Sequence, residues 1–320
     1  MNDYLARFKI KLKDPITTSE ILLSKLTINP VVTMPFLEFI KSVEITPVID
    51  ESKIIGLDIS AIYSGEHFQH FRDSWSGKHL IISHERFMIP LPPWDVSVFI
   101  IMPMVNRISG LTQQAHIFHD MRENLEDCIS DFTWELPDGS FADFDANLLS
   151  YPKLSFVYPP DLFGQPLNSS DWTTIQDIYS GEGQDVPLWK MILVNAQREQ
   201  NNDIRNTIIQ CATALDVGIQ PLIRGRVDKF DMAYLRGEGR LNGRGVVTPD
   251  LRIADQALFN TLSRLWYTRH AIVHKGDPRI YEENPITGAD PVRAIDIHLD
   301  PPEFLKAVPK GIKFVEDNPP

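Results

Sequence analysis

Residues 253–276 read IADQALFNTLSRLWYTRHAIVHKG, and this segment decides the fold of the C-terminal half of the chain. At about 100° per residue, its large apolar side chains fill one broad arc of a helix. The arc consists of Leu258, Phe259, Leu262, Leu265, Trp266, Ile272 and Val273. Gly276 and Pro278 indicate where the helix ends, because glycine adopts the left-handed cap and proline cannot continue a helix. We therefore expect an amphipathic helix over about 253–275.

A charged residue, Arg269, falls in the middle of that apolar arc. Burying an unpaired guanidinium is costly, so the arginine needs a carboxylate partner or must line a cleft, a ligand site or a subunit interface. His274 follows in the last turn, and His270 stands one turn before it on the same side. The plainer alternative is that these cations only complement the carbonyls and the dipole at a helix C-terminus.

Helical patterns flank this segment on both sides. Amphipathic helices are expected over about 188–200 and 204–224, and Asp203 can cap the second of them. A fourth, weaker helix is expected between Pro302 and Glu316, with a break at Pro309. The C-terminal domain, residues 185–320, is therefore predicted to be a small helical bundle.

Residues 1–160 show a different pattern of short alternating or apolar runs separated by turn-forming residues. They predict the strands of a mostly antiparallel sheet, sandwich or partial barrel, with one helix at about 112–131. The runs are ARFKIKL (6–12), SVEITPVI (42–49), KIIGLDISAIY (53–63), HLIISHERFMI (79–89), VSVFIIM (96–102) and KLSFVY (153–158). Proline, glycine and polar turn formers predict a linker over 161–184. The expected fold class is α+β, a β-rich domain followed by a helical one.

Charge is distributed unevenly between these domains. Residues 1–184 hold 13 Lys+Arg against 25 Asp+Glu, whereas residues 185–320 hold 18 of each. The net charge of −12 argues against a general nucleic-acid-coating surface, since such proteins gain affinity by neutralising phosphates. Any nucleic-acid contact is therefore expected in the C-terminal part. The acidic N-terminal domain suits a protein or small-molecule trigger.

Cysteine content and hydropathy indicate where the protein resides. Cys128 and Cys211 are too few and too far apart for a disulfide framework or a cysteine-based metal site, which fits a reducing cytoplasm. The first 14 residues lack the continuous apolar stretch of a secretory signal. The most apolar run, Val96 to Val105, is about half the length of a membrane span and predicts a buried strand. We expect a cytoplasmic protein with no membrane partner and no cofactor.

The segment 265–276, LWYTRHAIVHKG, resembles the Arg-x4-6-His signature of HEPN domains. The segment 203–222, DIRNTIIQCATALDVGIQPL, resembles the second helix of that family, in which Ala-Thr-Ala-Leu precedes an acidic residue. The resemblance covers about residues 186–320, and its specific part is confined to these two helices. The chain departs from the family at His270, where asparagine is frequent, and in the long segment between the two helices.

This resemblance implies a metal-independent endoribonuclease. RNA supplies its own nucleophile, the 2′-hydroxyl, so a protein needs only to move protons and to stabilise the charge on phosphorus. The resemblance implies that His274 transfers protons, that Arg269 binds the scissile phosphate and that His270 is auxiliary. It also implies a homodimer through the C-terminal bundle, and a role as a toxin or antiviral abortive-infection effector. The alternative is a non-catalytic HEPN module that dimerises or binds proteins.

The insert between the two signature helices, residues 224–245, is locally basic and rich in glycine. One reading is an arm that guides RNA phosphates to the cleft, with Tyr234 available for base stacking. Its candidate RNA-binding residues are Arg224, Arg226, Arg236, Arg240 and Arg244. The alternative is a plain solvated loop.

Two histidine pairs in the N-terminal domain allow a further alternative. His67 with His70, and His116 with His119, have a spacing that could hold zinc. Neither pair has a further ligand cluster that the sequence places beside it. We therefore expect surface or core histidines, and no metal site.

Overall fold

The computed structural model describes residues 3–30, 39–65, 94–117, 129–135, 141–142, 164–227, 240–241, 245–276, 280–282, 293–295 and 301–320. The chain forms two compact units, the first ending at Asp185 and the second beginning at Val186. An antiparallel sheet dominates the first unit and helices dominate the second. The predicted α+β class is therefore confirmed.

A six-stranded antiparallel sheet forms the frame of the N-terminal unit. Its strands are β1 (Tyr4–Thr17), β2 (Leu26–Ile28), β3 (Ile40–Asp50), β4 (Lys53–Tyr63), β5 (Ile129–Glu135) and β6 (Phe141–Ala142). They follow the spatial order β2-β3-β4-β1-β5-β6, so the described strands form an open sheet with β2 and β6 at its edges. Alternation explains β1, where Phe8 and Ile10 are buried while Lys9 and Lys11 are exposed.

The β3–β4 hairpin is closed by a two-residue turn at Glu51 and Ser52. Both residues have positive φ, 42° and 63°, which is the backbone conformation that matches the twist of paired strands. Asp50 and Lys53 form the last pair of the ladder. The sequence therefore makes this tight turn without glycine or asparagine.

The segment 96–102, predicted as a strand, is helical. Helix α1 (Met102–Thr112) continues from the helical turn Trp94–Val96 and the π-helical segment Ser97–Ile101. Pro103 cannot donate a backbone hydrogen bond, and the Met102 N–H donates to Ser97 O, five residues back. The π-helical segment thus accommodates the proline. The strand prediction was wrong because short buried apolar runs do not distinguish a strand from a buried helix.

The helix predicted over 112–131 is also wrong in its described parts. Helix α1 ends at Thr112, and Gln113 has the left-handed φ of 56°. Residues 129–135 form β5, which pairs with β1. The helical spacing of the apolar residues there is overridden by pairing with a strand more than a hundred residues earlier. Residues 118–128, like the strands predicted at 79–89 and 153–158, lie outside the described residues.

Part of the predicted linker, residues 161–184, forms helix α2 (Ser169–Ser180) in the N-terminal unit. Asn168 and Asp171 form a capping box at its start, and Gly181 closes its end with φ 78°. Trp172 is buried, and its indole N–H donates to Ser24 O at 2.8 Å. Both ends of this helix are capped, and the caps stabilise a helix where the turn-forming residues predicted a linker.

Tyr179 on helix α2 is buried beside Arg107 of helix α1. Its hydroxyl donates to Ile100 O at 3.3 Å and accepts from Arg107 Nη1 at 3.2 Å. Asp185 holds the same guanidinium at 2.8 and 2.9 Å. Burial raises the pKa of Tyr179 to about 12, although the Arg107 charge opposes that shift.

This pKa predicts a loss of stability in alkali. Unfolded tyrosine ionises near pH 10 but the folded phenol keeps its proton until about pH 12, so its stabilising contribution fades between these values. A shift of this size corresponds to about 2 to 3 kcal/mol. Urea unfolding from pH 8 to 12 should show a steeper decline for the wild type than for Tyr179→Phe. Parallel curves would contradict the prediction.

The C-terminal unit is built from helices and a short hairpin. Its helices are α3 (Leu188–Glu199), α4 (Ile204–Ile223), α5 (Leu251–Ala254), α6 (Gln256–Lys275) and α7 (Pro301–Asp317), and strands β7 (Ile280–Glu282) and β8 (Arg293–Ile295) pair antiparallel. Asp203 caps α4 by accepting the Asn206 N–H at 2.9 Å, as predicted. Asp255 separates α5 from α6 and caps α6 at Leu258 N. Cys211 lies buried in the core, and burial raises the pKa of its thiol.

Helix α7 runs through Pro309, where a break was predicted. A proline inside a helix costs about 3 kcal/mol. The opposing contribution comes from burial of one face, since Phe304, Leu305 and Val308 pack in the core of the unit. Burial of each large side chain is worth about 1.5 to 3 kcal/mol, so packing exceeds the proline penalty.

Gly218 lets α4 approach α7 closely. A Cβ atom at this position would lie 2.8 Å from Ile312 Cγ1 and 3.2 Å from Trp189 Cγ. Gly218→Val is therefore expected to destabilise the unit by about 1 to 3 kcal/mol through overpacking. Gly225→Val is the matched control, because no atom lies within 4 Å of a Cβ there. Equal urea midpoints for the two variants would contradict this packing.

Candidate functional site

Helix α6 carries the predicted site residues in its last two turns. The Gly276 N–H donates to Ala271 O and Ile272 O, and the glycine has the left-handed φ of 66°. The predicted cap is confirmed. It fixes the end of the helix at Lys275, so that Arg269, His270 and His274 all lie in its last two turns.

Arg269 is half-buried and has no hydrogen bond or ion pair within the part of the chain that the structure describes. The other half-buried arginines described in this unit all have polar partners. Arg198 binds Asn195, Arg226 binds two backbone carbonyls, Arg240 binds Asp216 and Arg264 binds Glu303. Since a partly desolvated guanidinium favours an anionic partner, Arg269 is a ready site for an anion.

The two histidines stand side by side. Their ring centroids lie 4.4 Å apart with an interplanar angle of 44°, and both side chains are exposed. This is the one-turn spacing expected of residues four apart on a helix. Both imidazoles are thus accessible to a ligand that approaches the end of α6.

The apolar arc of α6 is buried at its start and emerges at its end. Phe259, Leu262 and Leu265 are fully buried and Ile272 is nearly so, whereas Val273 is 49% exposed. The helix therefore leaves the core in the turn that bears His270 and His274. Arg269 lies at the edge between core and solvent, and this position explains its half-burial.

Two carboxylates, on α7 and α4, accept three hydrogen bonds from side chains of α6. Glu303 at the start of α7 accepts from Thr261 Oγ1 at 2.9 Å and from Arg264 Nη2. Asp216 of α4 accepts from Trp266 Nε1 at 3.2 Å. Neither carboxylate was singled out as a site residue. In the sequence, Asp216 could have been noticed because it is an acidic residue that directly follows Leu215 in the apolar stripe of α4.

The structure distributes the predicted RNA-binding arginines among different roles. Arg224 is exposed. Arg226 Nη1 donates to Val246 O at 3.0 Å and Val315 O at 2.8 Å, so it ties the insert to α7. Arg240 Nη1 donates to Asp216 Oδ1 at 2.7 Å. Arg236 and Arg244, like Tyr234, lie outside the described residues.

The histidine pairs considered for zinc are mostly outside the described residues, which include only His116. Its Nε2 lies 3.2 Å from Pro15 O, a contact that holds the ring within the N-terminal unit. The described residues contain no group of three or more His, Cys, Asp and Glu side chains that could hold a metal ion.

Comparison with known proteins gives no match to this chain from any family model, curated protein or solved structure. Among the helices that the structure describes, none is both long enough and apolar enough to cross a bilayer.

Proposed function

We propose that this chain is a metal-independent endoribonuclease of the HEPN type. The observation that carries the proposal is Arg269, which is half-buried and unpartnered among the described residues, on the same helical end as two exposed histidines. A helix that served only as scaffold would gain nothing from placing an unpaired guanidinium at the edge of its core. An RNA phosphate supplies the anion that this position favours.

This cleavage needs only groups that transfer protons and a cation that stabilises the charge on the phosphate. The 2′-oxygen of RNA attacks the adjacent phosphorus, its proton passes to a base, and the 5′-oxygen leaves with a proton from an acid. An imidazole changes its charge near neutral pH and can serve in either step, so His274 is assigned to proton transfer. Arg269 binds the phosphate oxygens and stabilises the charge that develops on them. The products are a 2′,3′-cyclic phosphate and a 5′-hydroxyl.

The proposal includes a homodimer in which the ends of two α6 helices line one cleft. The exposed Val273, one turn after Arg269, supports it because it continues the apolar arc to the surface. His270 would contact the substrate as an auxiliary residue. The acidic N-terminal unit would bind a protein or small-molecule trigger that raises cleavage above a basal rate, as in a toxin or an antiviral defence effector.

The test is incubation of the purified chain with a mixed RNA pool in excess EDTA. We expect shortened RNA with 2′,3′-cyclic phosphate ends, and no cleavage of the matched 2′-deoxy pool, which lacks the nucleophile. RNA that stays intact would contradict the proposal and would favour the non-catalytic interaction module. Cleavage of the deoxy pool would contradict the mechanism.

A further inference from the structure

Asp216 on α4 joins two segments that are distant in sequence. Its Oδ1 atom accepts from Arg240 Nη1 at 2.7 Å and from Trp266 Nε1 at 3.2 Å. The side chains are mostly shielded, with 18% of Arg240 and 33% of Asp216 exposed. One carboxylate oxygen thus holds the end of the basic insert against helix α6.

The residue of α6 that this carboxylate binds, Trp266, lies one helical turn from Arg269. Trp266 precedes Arg269 by three residues, and side chains with that spacing are neighbours on a helix, with Cβ atoms about 5 to 6 Å apart. The flexible stem of Arg269 therefore gives its guanidinium access to the surroundings of Trp266, to which Asp216 is hydrogen-bonded. Nevertheless, Arg269 makes no ion pair with Asp216, whose charge is already matched by Arg240.

We infer that Arg240 is a positioning residue, which occupies Asp216 and thereby leaves Arg269 uncompensated for a phosphate. The part of the inference that concerns RNA binding by Arg269 rests on the proposed function. The part that concerns the competition of Arg240 and Arg269 for Asp216 does not. It gives Arg240 a different role from the direct RNA contact that its place in a basic insert predicts. Arg240 acts on the substrate through Asp216 and Arg269.

The physical reason is competition for one carboxylate. Without Arg240, the shielded carboxylate keeps only the neutral indole of its two described partners, which is costly. Arg269, three residues from Trp266, is the half-buried arginine of α6 that has no partner among the described residues. An ion pair between them would turn the guanidinium away from the substrate. A phosphate would then have to displace an internal carboxylate before it could bind.

The first experiment measures the pairing without RNA. Urea midpoints are compared with and without Arg269→Ala, in the wild-type and the Arg240→Ala backgrounds. We expect Arg269→Ala to leave the wild-type midpoint nearly unchanged but to lower that of Arg240→Ala. Adding Asp216→Asn, which keeps an acceptor for Trp266 but removes the charge, should abolish this extra loss. The same response to Arg269→Ala in both backgrounds would overturn the inference.

The second experiment measures binding of a fluorescent 2′-O-methyl RNA, which cannot be cleaved because its 2′-oxygen is blocked. Arg240→Ala should weaken binding about tenfold or more, the value of one charge-assisted hydrogen bond, while Arg240→Lys keeps most of it. Asp216→Asn should restore binding in the Arg240→Ala background, because no carboxylate is left to capture Arg269. A direct RNA contact by Arg240 would not be rescued in this way, and that result would overturn the inference.

The two experiments separate the inference from the proposed function. If RNA binding by the wild type does not depend on Arg269, the proposed function is contradicted. The urea comparison still shows whether Arg269 pairs with Asp216 when Arg240 is absent.

Discussion

His274→Ala is expected to lower the rate of RNA cleavage by about 100-fold or more, because general acid–base catalysis contributes about 10² to 10⁴. The exposed side chain makes no core contact that the substitution would remove, so the urea midpoint should stay close to that of the wild type. Single-turnover cleavage of a defined RNA at matched protein concentration measures the effect. His270→Ala is the matched control, since its side chain is also exposed and its ring centroid lies only 4.4 Å from that of His274.

The two histidine variants separate catalysis from general charge. If the imidazoles only attract RNA, both variants should weaken binding to a similar degree and leave the rate at saturating RNA unchanged. If His274 transfers protons, its loss lowers that rate while His270→Ala has the smaller effect of an auxiliary contact. Equal activity of His274→Ala and the wild type would remove the site assignment.

The same assay distinguishes the role of Arg269. Arg269→Ala should raise the RNA concentration needed for half-saturation and also lower the maximal rate, because the guanidinium binds phosphate in the ground state and stabilises charge in the transition state. Arg269→Lys should recover part of the binding but less of the rate, since an ammonium cannot hold two phosphate oxygens in a planar fork. These outcomes would assign a chemical role to Arg269, which is half-buried and has no polar partner in the described part of the chain.

The helical ends of the C-terminal unit could be predicted because their signals are local. Asp203 caps α4, Gly276 closes α6, and the apolar stripes between them appear in the structure nearly at their predicted bounds. Each of these features depends on residues within one turn of each other. The residues predicted for the site therefore lie at a helical end, with His270 and His274 one turn apart.

The contacts that define the neighbourhood of the site could not be predicted, because they join distant segments. Arg226 binds Val315 O, 89 residues later, and Arg240 binds Asp216 on the preceding helix. Composition alone made both arginines candidates for RNA phosphates. A basic residue in a glycine-rich insert has the same sequence signature whether it faces solvent or ties the insert down.

In the N-terminal unit, the secondary structure could also be predicted only in part. Alternation predicted β1, β3 and β4, whose polar residues face solvent between buried ones. The uniformly apolar run at 96–102 has no such alternation, and the structure made it helical around Pro103. The alternation of polar and apolar residues identifies a strand when one of its faces is exposed to solvent, and it disappears when both faces are buried.

Phe259→Ala is expected to destabilise the C-terminal unit by about 3 to 5 kcal/mol, the usual cost of removing a buried aromatic ring. Phe259 is 0% exposed, and the guanidinium of Arg252 lies 4.6 Å from its ring centroid. At a protein concentration low enough to keep the chain monomeric, Val273→Ala on the same predicted arc should cost well under about 1 kcal/mol, because about half of this residue is in water. Urea unfolding of both variants measures the difference. The proposed dimer would cover Val273, so the loss from Val273→Ala should grow as the protein concentration rises, while the loss from Phe259→Ala stays the same. A loss from Val273→Ala that is independent of concentration would contradict a dimer interface at the end of α6.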